Sequence, residues 1–314
     1  MTELIFQPSD NHPPNPSVCT LILNYNNYSD TIETIESVFS LDYDSNTLIL
    51  VENSTDEQVI KKIQSQFPDL EIIRNSENLG YAKGNNAGIQ AAIARGAEYI
   101  FILNNDVILE KDVLATCIDA IESSPGCAAC QPVISFYNDR KKIWSAGTQL
   151  FFGYPRLFLK GEPIRRMGVQ TPPFGLVGCA ILFKTSAMQE VGLFDESLFL
   201  MHEETDWCIR AQHRNFSLLV VTDVVAYHKI STTLGLFGRD YLYYVGRNWL
   251  LVGRKNYRDL KYWYILVTEI TLRFPYYICH LARRGQIGRI KYYLQGIADG
   301  IRGVSGKADL KKTP

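Results

Sequence analysis

Asn104-Asn105-Asp106 closes a run of five apolar or aromatic residues, Tyr99–Leu103. Such a run reads as a strand buried on both faces. A carboxylate at its carboxyl end sits where open α/β sheets bind ligands. Taken alone, the triplet reads as a cap, because Asn and Asp end strands and open helices, and Glu110-Lys-Asp-Val-Leu starts a helix soon after. Three other polar stretches change that weighing. Asn24-Tyr25-Asn26 follows one apolar run, Glu52-Asn53-Ser54 follows a second, and Asn78-Leu-Gly-Tyr-Ala-Lys-Gly-Asn-Asn86 opens a helical segment. Four polar clusters on one sheet edge point to a nucleotide site. Gly80 and Gly84 at a helix start would let backbone N–H groups approach an anion. The segment is neither a P-loop nor a Gly-x-Gly-x-x-Gly turn.

The elements that must carry these residues alternate. Cys19–Leu23, Thr47–Val51, Leu70–Ile73 and Tyr99–Leu103 read as strands, with helices over Ser29–Ser40, Asp56–Phe67 and Tyr81–Arg95 between them. That spacing means βαβ units and a mostly parallel sheet flanked by helices, an α/β fold. After a helix near Asp112–Glu122 the rhythm changes. Val133–Tyr137, Gln149–Phe152, Leu176–Phe183, Leu218–Val221 and Val224–Tyr227 read as strands, Thr185–Val191 and Glu203–Arg214 as helices, and Leu157–Thr171 as a loop. From Leu236 onward only helices are expected, over Gly238–Arg254, Lys261–Arg283 and Ile287–Val304. The organisation is therefore a tail at 1–17, a catalytic-type domain at 18–235 and a helical region at 236–314, with the domain divided near residue 110.

The chain has 314 residues, 46% hydrophobic and 21% charged, and a net charge of −1, which does not advertise nucleic-acid binding. The charge is unevenly spread. Residues 239–314 hold 15 Lys/Arg and 5 Asp/Glu, a net of +10, which leaves −11 for residues 1–238. A basic, aromatic helical end suggests an anionic membrane surface as partner. Seven cysteines fall mostly in apolar runs and read as core residues. Cys127-Ala-Ala-Cys130 has redox or zinc spacing but lacks a second pair at finger distance. The N-terminus lacks a basic region and a long apolar core, so the expected compartment is the cytosol.

Five motifs in order carry a family resemblance: Leu23-Asn-Tyr-Asn-Asn27, Val51-Glu-Asn-Ser-Thr-Asp56, Asn78–Gly88, Leu103-Asn-Asn-Asp106 and Glu203-Glu-Thr-Asp-Trp-Cys-Ile-Arg210. The chain resembles the family 2 inverting glycosyltransferases, and among them the bacterial rhamnosyltransferase-type enzymes, from about Val18 to Arg254. The resemblance implies a GT-A fold, a nucleotide-sugar donor, a divalent metal (Mn²⁺ or Mg²⁺) and an inverting displacement. It places the donor around Asn24, Tyr25, Glu52, Asn53, Lys83, Asn86, Asn104 and Asn105. Glu52 stands where the family usually has Asp, and reads equally as a helix N-terminal charge. Lys83 reads equally as a solvated residue of a first helical turn.

The resemblance also makes Asp106 the main metal ligand, in an Asp-x-Asp motif whose first Asp is Asn104, with His228 as a second ligand. Glu204 aligns with the catalytic base, with Glu203 as the alternative. A sugar hydroxyl needs a carboxylate to take its proton as it attacks. The same cluster also suits a helix N-terminus electrostatically. Arg247 could reach the donor diphosphate or serve interdomain packing. The expected function is metal-dependent transfer of a deoxyhexose, rhamnose from its dTDP donor, onto a lipid-linked saccharide at the cytoplasmic face of the membrane, to which the enzyme binds peripherally. The competing classes are a non-catalytic nucleotide-sugar-binding subunit of a polysaccharide assembly complex and a UDP-sugar-specific transferase.

Overall fold

Apolar runs too short for helices pair side by side and set the frame. The structure, a computed structural model, describes residues 15–54, 56–172, 174–230, 237–257 and 260–310. Strands β1 (Val18–Asn24), β2 (Asn46–Glu52), β3 (Glu71–Arg74) and β4 (Tyr99–Asn104) alternate with helices α1 (Tyr28–Phe39), α2 (Glu57–Gln66) and α3 (Gly80–Ala94). β2, β1 and β4 lie side by side in parallel, with β3 outside β2. Parallel pairing puts the carboxyl ends of all four strands on one edge. Asn27 caps α1 and Asp56 caps α2, each side chain accepting a backbone N–H. Helix α3 has no such cap and instead sits close: a Cβ at Gly84 would lie 2.8 Å from both Asn53 Nδ2 and Leu23 Cδ1.

The second half completes the sheet differently. Its elements are β5 (Val107–Leu109), α4 (Val113–Glu122), β6 (Cys127–Phe136), β7 (Asp139–Ser145), β8 (Thr148–Phe151), β9 (Tyr154–Leu157), β10 (Val169–Gln170), β11 (Ala180–Lys184), α5 (Thr185–Val191), α6 (Glu203–His213) and β12 (Ser217–His228). The ten-stranded sheet runs β10-β12-β6-β11-β4-β1-β2-β3, with β5 added to β12 and β7 to β6, while β8 and β9 form a separate hairpin. β11 is antiparallel to both β4 and β6, so the sheet is mixed rather than mostly parallel. The two expected strands near residue 220 are one strand with an irregularity between Val221 and Val225. The Cys127–Cys130 stretch is buried strand, in line with its reading as core, and burial pushes the Cys127 thiol up to about 11. Pro16 and Ser17, expected in the tail, are tied to the body through Tyr43 and Glu98. Residues 1–14 and the expected boundary at 235–236 lie outside the described residues.

Four helices follow: α7 (Arg239–Asn256), α8 (Leu260–Thr268), α9 (Phe274–Arg283) and α10 (Ile290–Arg302). A π-turn at Glu269–Arg273 joins α8 to α9, so the single helix expected over 261–283 is interrupted. Pro275 follows one residue after Phe274, and its missing N–H frees a carbonyl one turn back. α7 is the buried member and packs through Trp249 and Leu250 in one cluster with Tyr293 and Ile297 of α10. No helix among the described residues is long and apolar enough to cross a membrane.

Candidate active site

Strand register builds the first pair of functional groups. β5 runs antiparallel to the end of β12, with Val107 opposite His228. Asp106, one residue before β5, therefore meets His228 at 3.2 Å between Oδ1 and Nε2. Both are nearly buried, and the His228 ring stands edge-on to Trp144 with centroids 4.5 Å apart. His228 Nδ1 has no partner among the described residues. A carboxylate oxygen and an imidazole nitrogen suit Mn²⁺ or Mg²⁺. Adjacent ligands of an octahedral ion with bonds of about 2.1 Å lie about 3 Å apart, which the Asp106–His228 separation matches. No third His, Cys, Asp or Glu joins them among the described residues, so a bound ion would take its other ligands from diphosphate and water.

The polar strand ends do come together. Asn24 donates to Glu52 at 2.6 Å, and its own carbonyl accepts from Thr31 at 2.9 Å and Asn105 at 2.9 Å. Glu52 also accepts from the Ser54 N–H at 2.7 Å and has no exposed surface. Burial pushes its carboxyl up, against the downward pull of those two bonds. Glu52 thus locks the ends of β1 and β2 together. Tyr25 is half-exposed beside this knot, and Lys83 is exposed on the first turn of α3. Asn104 donates its N–H to the Cys179 carbonyl at 2.9 Å.

Two residues expected at the donor are engaged by the framework. Asn53 donates to the Gly80 carbonyl and accepts from Asn75, each at 2.8 Å, so β2, β3 and α3 share one amide. Asn86 brackets Phe194, donating to its carbonyl at 3.0 Å and accepting from its N–H at 3.1 Å, and also donates to Glu196 at 3.0 Å. Asn86→Ala leaves a buried N–H without a partner, so it should cost about 2 kcal/mol in urea unfolding. Nucleotide affinity should stay within twofold of wild type. A selective loss of nucleotide affinity would return Asn86 to the donor site.

The acidic cluster opens α6. The turn into it is strained: Phe199, Met201 and His202 all hold φ between 62° and 74°, a region that residues other than glycine seldom adopt. His202 was not legible in the sequence as part of this site. It is buried, its Nε2 lies 3.3 Å from the Tyr154 hydroxyl, and burial lowers its pKa to about 3, so it is neutral. Glu203 is 1% exposed and its Oε1 lacks a partner among the described residues; burial, then the neighbouring Glu204, pushes its carboxyl well up. Glu204 is half-buried and its pKa is also raised by burial. Its side chain flanks Gly178, where a Cβ would lie 3.5 Å from Glu204 Cγ and 3.1 Å from the Tyr81 hydroxyl. Tyr81 donates to the Gly178 carbonyl. Gly178-Cys179 therefore spans from the end of β4, through Asn104, to Glu204. Asp206 faces away, paired with Arg210 at 2.7 Å and bonded by Asn256 at 2.7 Å.

Arg247 does not join this group. Its guanidinium donates to Asn248 at 2.8 Å, the Gly306 carbonyl at 2.6 Å and the Leu198 carbonyl at 3.0 Å, and it packs on Tyr243 and Tyr244. Every nitrogen is used inside the fold, which favours packing over diphosphate contact. A cavity of about 440 Å³ among Asp195, Asp206, Lys255 and Arg302 also lies apart from the Asp106–His228 pair.

Comparison with known proteins follows the same lines. The dTDP-rhamnosyl transferase RfbF of Shigella flexneri is 21% identical over 307 residues, covering 93% of this chain and 98% of that one. GalNAc-T7, solved with UDP, GalNAc and Mn²⁺, superposes with a TM-score of 0.66 at 16% identity, over 92% of this chain and 57% of that one. The mannosyltransferase PcManGT of Pyrobaculum calidifontis, solved with GDP-Man and Mn²⁺, superposes at 0.57 and 16% identity, over 94% and 90%. These likenesses show a shared GT-A fold. Residues 19–192 match the family described as glycosyl transferase family 2, and the chain belongs to that family as a glycosyltransferase.

Proposed function

We propose that this glycosyltransferase moves a sugar, with inversion, from a nucleoside diphosphate donor to a hydroxyl of a lipid-linked saccharide, with dTDP-rhamnose as the donor. One observation carries the reading: Gly178-Cys179 links the strand end bearing Asp106 to Glu204, so a metal-binding pair and a carboxylate with raised pKa share one edge. A bound divalent ion would supply charge neutralisation on the leaving diphosphate. Asp106 and His228 would hold that ion. Glu204 takes the proton of the acceptor hydroxyl, and Glu203 is the alternative base. Tyr25 and Lys83 remain open to the donor, while Asn24, Glu52 and Asn105 hold its floor. The rhamnose assignment is supported by the Shigella relative, which aligns over almost the whole of both chains. The +10 charge of residues 239–314 supports a peripheral place on the anionic cytoplasmic face of the membrane.

A thermal-shift screen of dTDP, UDP and GDP, each with and without Mn²⁺, tests the first step. The matching nucleotide at hundredfold excess over its Kd should raise the midpoint by about 5 °C, only with metal. Incubation with dTDP-rhamnose and lipid-linked acceptors should then give product of inverted configuration. No nucleotide response and no donor consumption would defeat the enzymatic reading. A retained configuration would defeat single displacement.

A further inference from the structure

The C-terminal helices expose apolar surface in a pattern the sequence hides. Of 18 exposed large apolar or aromatic side chains among the described residues, 11 lie on 260–304 and three more on the β8–β9 hairpin tip. Monomeric proteins rarely leave such surface uncovered without a partner. Between Tyr262 and Ala282 the sequence has two charged residues, Glu269 and Arg273, and both turn inward. They pair at 2.6 Å; Glu269 has no exposed side-chain surface, Tyr293 donates to it, and Arg273 stacks on the Tyr154 ring. His280 is half-buried, its ring tilted against Phe237 with centroids 3.9 Å apart. The outward face of α8–α9 is therefore free of charge for about 30 Å of helix.

Its anchors are Leu260, Trp263, Tyr264 and Val267, at the i, i+3, i+4, i+7 spacing of one helical face. The hairpin tip extends the same surface. A Cβ at Gly153 would lie 2.8 Å from the Tyr264 ring, and the Gly153 carbonyl accepts from Trp249 at 2.9 Å, so the tip is clamped against α8. Phe151 and Phe152 project there, 48% and 56% exposed, and Phe152 holds φ at 48°. Exposed cations flank the face: Lys261 at its start, Arg283 and Arg284 at its end, and Arg289 and Lys291 beyond.

We propose that the outer face of α8–α9, together with the Phe151–Phe152 tip, is a docking surface that lies in the interface of an anionic lipid bilayer. An uncharged aromatic stripe edged by Lys and Arg is complementary to acyl chains bounded by anionic headgroups. The inference rests on the membrane location in the proposed function and deepens it in two ways. The contact is apolar first and basic only at its borders, and a hairpin outside the C-terminal region takes part. The hairpin also leads through Tyr154 to His202 and the start of α6, so the bilayer contact adjoins the catalytic carboxylates.

The test is flotation of the full chain with vesicles of phosphatidylcholine and phosphatidylglycerol. The wild type should float. Phe151→Ser/Phe152→Ser and, separately, Trp263→Glu/Val267→Glu should each lower partition at least tenfold, with unchanged thermal midpoints because all four side chains are already exposed. Arg283→Ser/Arg284→Ser should lower binding to anionic vesicles only. Absence of wild-type flotation, or flotation kept by both apolar variants, overturns the proposal. So does a concentration-dependent dimer that Trp263→Glu dissociates, which would give this face to a second copy of the chain. Mn²⁺-dependent nucleotide shifts, measured without lipid, separate the two readings. A chain that floats but binds no nucleotide fails the enzymatic reading and leaves this surface standing.

Discussion

Asp106→Ala should abolish Mn²⁺-dependent nucleotide binding and lower transfer by about three orders of magnitude, the several kcal/mol that a Lewis-acid metal contributes. The expected loss is large because, in the proposed site, Asp106 and His228 would be the only His, Cys, Asp or Glu ligands among the described residues. Removing the carboxylate would take away the one anionic group of that pair and leave an imidazole, which holds a hard cation poorly. The fold should survive. Asp106 takes part in the sheet through its backbone carbonyl, which accepts from Lys229 N–H at 2.9 Å and is kept by alanine. His228 keeps its edge contact with Trp144. Titrating Mn²⁺ against the nucleotide-induced thermal shift measures the effect directly. His228→Ala should weaken metal affinity without eliminating it. Unchanged metal-dependent binding in Asp106→Ala would remove this pair from the site.

The parts of the site that follow from local order were legible, and the parts set by long-range pairing were not. Buried runs and helix caps between Val18 and Asn104 are local, so the strand ends bearing Asn24, Glu52 and Asn104 could be placed on one edge beforehand. The Asp106–His228 pair was expected only through the family resemblance; no local pattern gives it, because it needs β5, a three-residue strand with too little periodicity to read, set against β12 over a hundred residues later. Asn53 and Asn86 sit in motif positions but bond to carbonyls that no local pattern identifies. Arg247 was open between diphosphate contact and packing, because charge is visible in a sequence and the backbone carbonyls that hold it are not. The sequence likewise does not show that Glu269 and Arg273 turn inward, because their partners Tyr293 and Tyr154 lie on other elements. His202 carried no signal, since its role comes from a left-handed backbone and from Tyr154 on a separate hairpin.

Glu204→Gln should lower kcat by about 10²–10⁴ while leaving donor binding intact, the range expected for loss of a general base. The choice between the two carboxylates follows from access. A base must touch an incoming hydroxyl; Glu204 is half-buried beside Gly178, whereas Glu203 is 1% exposed. Both carboxyls are pushed up by burial, so the acid limb of the kcat profile should lie above the ordinary Glu range, with activity lost as pH falls through the raised value. Glu203→Gln should differ in kind. With its pKa raised in the folded state, Glu203 binds protons more readily folded than unfolded. It therefore stabilises the fold most below its unfolded pKa, and stability falls as pH rises towards its folded value. A neutral Gln removes that dependence, so Glu203→Gln should gain stability over wild type at pH 8 relative to pH 5, with kcat reduced less than tenfold. Loss of turnover in Glu203→Gln and its retention in Glu204→Gln would exchange the two roles. Turnover kept by both variants would remove carboxylate base catalysis from this helix.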